Sequence, residues 1–181
     1  RADAILESQR RALRETPLYT QPGTYAYEHG ELEQYRASNE ANMACKKAIE
    51  GAIRDHYSGY CLDGKAAVAE VVNTFGQERT MYILANTVRQ KDWDGRISPS
   101  NKDWAKSIPI QKNLDAWGEN RNAYLIVNSH PGLIDLFVDA FREACYQKQE
   151  KNVKPSVLDK LQKQSTKNSP KISANKKEMS L

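Results

Sequence analysis

The stretch from Asp63 to Gln90 limits what this chain can become more than any other. Asp63 is suited to cap a helix, and Val68, Val71, Val72 and Phe75 recur on one helical face. Gly76 then stands where helices commonly end in a left-handed residue. From Gln77 to Gln90 the apolar residues no longer keep to one side, because Met81, Tyr82, Ile83, Leu84, Ala85 and Val88 surround most of the circumference. A helix of that kind must be covered on nearly every side, which predicts a central buried helix with others packed around it.

The flanking segments read as helices too. Ala2–Arg14 carries a weak stripe of Ile5, Leu6 and Leu13 and stops at Pro17, and Leu18–Gly30, rich in Tyr, Gly and Pro, predicts an irregular loop laid over a hydrophobic surface. Glu31–Tyr57 is the longest candidate. Its inward stripe of Tyr35, Asn39, Asn42, Ile49 and Ile53 is polar at one end and apolar at the other. Lys91–Arg96 is a turn around Asp94-Gly95, and Ser98-Pro99 offers a cap followed by Pro at the first position of a short helix, Pro99–Lys106. After a polar connection containing Trp117, Ala123–Val127 fits a short buried strand or a helical turn equally well. Pro131–Gln147, with Leu133, Ile134, Phe137, Val138 and Phe141 inward, is the last helix. The expected fold class is therefore mainly α: a compact domain of five or six helices with at most a short β element, followed by a disordered basic tail.

Charge sharpens the division. Of the 181 residues, those from Gln147 onward contain nine lysines against Glu150, Asp159 and Glu178. The body before them has 18 basic and 20 acidic side chains, so the net charge of +4 belongs to the tail. That composition, without aromatics, predicts disorder over Asn152–Leu181, with one helical turn at Ser156–Gln164. The expected parts are an N-terminal helix in 1–17, a globular helical domain in 18–147 and a basic tail or linker in 148–181. A first residue that is not Met and a linker-like end predict a segment of a longer protein. With no apolar run of membrane-spanning length and no signal peptide, the expectation is a cytoplasmic protein without a membrane partner. Cys45, Cys61 and Cys145 lack metal or disulfide spacing, and no Gly-rich phosphate loop is present.

The densest polar and aromatic cluster runs from Arg89 to Trp104. Trp93 and Trp104, flanked by Arg89, Lys91, Arg96 and Lys102, suit stacking on exposed bases while the cations hold phosphates. They suit equally well a clamp of the turn against the core, with Asp92, Asp94 and Arg96 as a solvated ion network. Asp92 and Asp94, with Asp103, are also the residues that could hold magnesium as a cofactor, although Asp-x-Asp-Gly is ordinary turn chemistry.

His130, before Pro131 where a helix begins, is placed either to transfer a proton beside phosphate-attracting N–H groups or simply to pack on the first turn. Tyr35, Arg36, Asn39, Asn42 and Lys46 form a polar stripe that either builds a core network or lines a groove. The lysine tail suits nucleic acid or a linker.

The phrases Leu84-Ala85-Asn86-Thr87-Val88, Lys91-Asp92-Trp93-Asp94-Gly95-Arg96 and Ser100-Asn101-Lys102-Asp103-Trp104-Ala105 resemble an uncharacterised domain family. It is found in large accessory proteins of conjugative elements and plasmids of Gram-positive bacteria. Glu33–Ile49 and Asn128–Phe141 resemble the same family, so the likeness spans Leu18–Phe141, and the ending Lys176-Lys177-Glu178-Met179 is similar to the basic linkers of such proteins. That setting includes antirestriction and anti-CRISPR proteins. The resemblance implies a host-defence inhibitor that engages a Cas9–guide RNA complex, by blocking it or by cleaving its RNA. In the cleaving case His130 would move the proton, Arg96 and Lys102 would hold phosphate, and Asp92 and Asp94 are the further catalytic candidates. The alternative is a non-catalytic module whose Trp93/Trp104 surface binds a relaxase, a Cas protein or another domain of a parent chain.

Overall fold

The computed structural model describes the backbone of residues 2–110 and 121–165, and the side chains of 2–110 and 122–152. Trp117 and the last residues of the lysine tail lie outside the described residues. Among those described there are seven α-helices: α1 Ala2–Glu15, α2 Gly23–Glu28, α3 Leu32–Asp55, α4 Gly64–Phe75, α5 Gln77–Gln90, α6 Pro99–Ser107 and α7 Pro131–Ser165. A 3-10 helix, Arg121–Leu125, and a two-stranded hairpin, β1 Tyr57–Ser58 with β2 Cys61–Leu62, complete them. The chain divides into residues 1–145 and 146–181. The fold is mainly α, as the periodicity predicts.

The central helix is where its composition requires it. Along α5, Arg79 and Thr80 and every residue from Tyr82 to Val88 are buried, and α3, α4, α6 and the 3-10 helix all pack against it. Ile49 and Ile53 of α3, Val68 and Val71 of α4, and Ile134, Phe137 and Phe141 of α7 complete the core. Burying each phenylalanine removes enough apolar surface from water to contribute about 2–3 kcal/mol.

The helix ends follow from local chemistry. Asp63 accepts the Ala66 N–H at 3.0 Å, Ser98 accepts that of Asn101 at 3.3 Å, and Gly76 carries φ +83° between α4 and α5. A side chain is strained in that conformation and glycine is not.

The structure refines the sequence pattern in three segments. Leu18–Gly30, expected to be irregular, contains α2, whose Ala26 is buried against the domain. The short β element is not at Ala123–Val127, where of the two open readings the helical turn holds: the chain forms the 3-10 helix and then bonds the Val127 N–H to Thr87 Oγ1 at 3.0 Å. It lies instead at the end of α3, where Gly59 (φ +56°) and Tyr60 (φ +63°) make a two-residue reversal that pairs Tyr57 with Leu62 and Ser58 with Cys61. Lastly, α7 does not stop at Gln147 but continues to Ser165, taking in the helical turn expected at Ser156–Gln164. Gln, Lys and Glu at 147–151 are good helix formers and propagate a helix already begun, without needing apolar partners.

No helix among the described residues is long and apolar enough to cross a membrane.

Candidate functional site

The turn between α5 and α6 is fixed from inside. The Asp94 N–H donates to Lys91 O at 2.9 Å and the Ile97 N–H to Asp94 O at 3.3 Å, while the Ile97 side chain is buried in the core. Asp94 is itself buried, and Oδ1 accepts from the Arg96 backbone N–H at 2.9 Å and from Nε at 3.0 Å; Oδ2 accepts from Nη2 at 2.8 Å. These bonds from Arg96 hold the Asp94 carboxyl well below the usual range, and the carboxylate in turn raises the guanidinium. Trp93, between these anchors, is 79% exposed. The turn therefore presents a large aromatic ring on a backbone that has little freedom to withdraw it.

The other residues of the cluster serve different ends. Arg89 donates from Nε to Ala105 O at 2.8 Å and from Nη2 to Lys106 O at 2.9 Å and to Ile108 O, so its charge satisfies carbonyls at the C-terminal end of α6. Trp104 turns the opposite way from Trp93. It packs on the core, edge-on to Phe141 with ring centroids 6.2 Å apart, and the Arg142 guanidinium lies 6.0 Å from its ring. Asp92 is exposed and pairs with Lys106 at 3.4 Å. Lys91 and Lys102 are half-buried, and Lys91 adds to the field that lowers Asp94.

His130 stands at the start of α7. Its Nδ1 accepts the Gly132 N–H at 3.1 Å and its carbonyl accepts from Leu133 at 2.9 Å and from Ile134 at 3.0 Å, so both groups serve the first turn of the helix. Among the described residues no hydrogen bond or ion pair joins His130 to Asp92, Asp94 or Arg96. Nor do the described residues gather three or more His, Cys, Asp or Glu side chains as a metal ion would need.

The polar stripe of α3 divides. Asn42 is buried and accepts from Arg79 Nη1, which also donates to Ser38 O at 3.0 Å, while Nη2 donates to Thr16 O at 2.8 Å. Arg79 is 3% exposed and its partners are neutral, so burial lowers its affinity for a proton. Here the core-network reading of the stripe applies. Tyr35 packs edge-on to Tyr19 at 5.8 Å, and Lys46 pairs with Glu50 at 3.4 Å. Asn39 is half-buried and Arg36 exposed, so only these two face outward from the stripe with no described partner.

Sequence reasoning missed the cluster that positions α6. Asn101 is fully buried and donates from Nδ2 to Asp135 Oδ1 at 2.7 Å and Asp139 Oδ1 at 2.8 Å, while Oδ1 accepts from Arg142 Nη1 at 2.6 Å. Asp135 Oδ1 also accepts the Ser98 N–H at 2.9 Å, so a carboxylate of α7 caps the start of α6. The available signal was the spacing of Asp135, Asp139 and Arg142, which places all three on one helical face. The network fixes α6, and with it one end of the Trp93 turn.

No curated protein and no solved structure matches the chain. A family model described as a protein of unknown function, DUF3849, matches residues 18–146. That range holds the Trp93 turn, α6 and the described network, and the chain belongs to the DUF3849 family.

Proposed function

We propose that the domain is a non-catalytic interaction module whose contact face is the Trp93 turn. The observation that carries this reading is the 79% exposure of Trp93 on a turn tied down by Asp94, Arg96 and Ile97. An exposed indole costs solvation and adds nothing to the core. Once seated in a partner's pocket it supplies a large contact area, and a fixed turn loses little entropy on binding. Arg96, 55% exposed, lies beside it with a guanidinium already oriented by Asp94.

Binding is favoured over catalysis by how the candidate catalytic groups are occupied. His130 Nδ1 is committed to the helix start, and both oxygens of Asp94 are committed to Arg96. The near balance of 18 basic and 20 acidic residues before Gln147 favours a protein surface over bare RNA.

The setting implied by the resemblance, an accessory protein of a conjugative element acting in the bacterial cytoplasm, makes a Cas9–guide RNA complex the first partner to test. On this reading the domain is an anti-CRISPR inhibitor that blocks the complex and leaves its RNA whole. The test incubates the full chain with Cas9 and labelled guide RNA, with and without magnesium, and follows RNA length and target-DNA cleavage. Intact RNA with blocked DNA cleavage, relieved by Trp93→Ala, is the expected result. Shortened RNA contradicts a non-catalytic module, and no effect on either reaction removes Cas9 as the partner.

A further inference from the structure

Helix α1 is built like one half of a helix pair. Ala2, Leu6, Gln9 and Leu13 recur at the alternating four- and three-residue spacing of a coiled-coil seam, with Ile5 and Ala12 beside it. Yet α1 buries no residue. Ile5 is 59% exposed and Leu6 50%, and only Leu13, half-buried, packs against the core. The helix is held at its C-terminal end, where Arg14 Nη1 donates to Asn73 O of α4 at 3.0 Å and Thr16 O accepts from the buried Arg79. It also precedes the residues that the family model matches, which begin at 18. The apolar N-terminal half of an anchored helix is thus left largely open to water.

The charges beside the seam say what covers it. Asp3 and Arg10, both exposed, are seven residues apart and therefore stand in equivalent positions on one edge of the seam. The other edge carries the uncharged Ile5 and Ala12. A parallel partner helix sets unlike edges together and leaves both charges facing apolar side chains. An antiparallel copy sets like edges together, so that Asp3 of each copy meets Arg10 of the other, two ion pairs from one two-fold axis. In the same register Leu6 lies against Gln9 of the other copy, and Ala2, the smallest residue of the seam, meets Leu13, which its own core already engages in part. The surface is self-complementary. We propose that the partner of α1 is α1 of a second copy of this chain, packed antiparallel across a two-fold axis.

Composition disfavours other occupants. Ala2–Glu15 carries Asp3, Glu7 and Glu15 against Arg10, Arg11 and Arg14, so no net charge draws it onto an anionic lipid surface or a phosphate backbone. Antiparallel packing also places the two anchored C-terminal ends at opposite ends of the pair. At 14 residues the helix is about 21 Å long, which makes the contact small and sets its dissociation in the micromolar range. It uses no residue of the Trp93 turn, so Trp93→Ala is expected to leave it in place.

The test is sedimentation equilibrium of the full chain across the micromolar range. A monomer–dimer equilibrium is expected, and Leu6→Glu, which puts a charge in the seam, is expected to weaken it at least about 10-fold. Asp3→Arg and Arg10→Asp each set like charges together in both pairs and are each expected to weaken it about 10-fold, whereas the double reversal returns to within about 3-fold of wild type. Asp3 in the first turn also favours the helix itself, but that contribution is lost equally in Asp3→Arg and in the double variant, so recovery reports the contact between copies. The proposal is overturned by a monomer at every concentration, including one that binds vesicles of anionic lipid instead. It is equally overturned by a dimer that Leu6→Glu leaves intact, by single reversals of wild-type affinity, or by a double reversal no tighter than the single ones.

Discussion

Asp94 and Arg96, two residues apart, form a bidentate pair in which a buried carboxylate also accepts the arginine's own backbone N–H at 2.9 Å. The sequence Asp-Gly-Arg therefore folds into a self-locking turn, and the ring displayed by that turn belongs to Trp93. Asp94, read from sequence as a catalytic or metal-binding candidate, has both oxygens engaged in the lock.

The pH dependence of this lock has a definite sign. Because the folded carboxyl is held below the ordinary aspartate value of about 3.9, its contribution is complete above that value and is lost as pH falls toward the folded value. Thermal unfolding between about pH 5 and pH 2 is expected to show a loss of stability that is smaller in Asp94→Asn. An identical slope in wild type and variant contradicts the assignment.

Asn101 is the hub of the network between α6 and α7. Asn101→Ala strips Asp135, Asp139 and Arg142 of a shared partner. It is expected to cost about 2–3 kcal/mol in chemical denaturation, because buried polar groups are left unpaired. Since the same network fixes α6, the variant is also expected to broaden the NMR signals of the Trp93 indole.

Arg79 tests whether the polar end of α3 is structural. Arg79→Ala leaves Asn42, Ser38 O and Thr16 O without their donor, and a loss of about 2–4 kcal/mol is expected. Asn42→Leu is expected to be destabilising as well, since it leaves a buried guanidinium short of an acceptor. Stability equal to wild type in both would return these residues to the list of groove candidates.

The cysteines offer an inexpensive check on the core. Burial pushes the Cys45 thiol up to about 12, whereas Cys61 is exposed on the hairpin. A thiol reagent at pH 8 is expected to modify Cys61 rapidly and Cys45 only on unfolding. Rapid labelling of Cys45 in the folded chain contradicts the packing of α3 on α5.

How much of this was legible in the sequence depended on whether the deciding interaction was local. Helices α4 and α5 emerged with their observed bounds because their caps and apolar periodicity lie within each segment: Asp63 and Gly76 mark one helix, and the unbroken apolar run marks the other. The hairpin escaped because its strands are two residues long and its second reversal position is Tyr60, where Gly or Asn would have signalled a turn. In the candidate site, proximity in the chain made Asp92, Trp93, Asp94 and Arg96 visible together, but it could not say that Trp93 points out while Trp104 packs on Phe141. That difference is set by α7, more than thirty residues away in the chain. The role of Arg89 was hidden for a similar reason, since its acceptors are main-chain carbonyls with no side-chain signature.

The most direct test of the account compares Trp93→Ala with wild type in affinity for the partner and in thermal stability. Since Trp93 contributes little to the fold, stability is predicted to change by no more than about 0.5 kcal/mol, while binding to a Cas9–guide complex, or to whichever partner protein is established, weakens at least about 10-fold. Unchanged affinity in a normally folded Trp93→Ala variant would contradict the claim that this turn is the contact face.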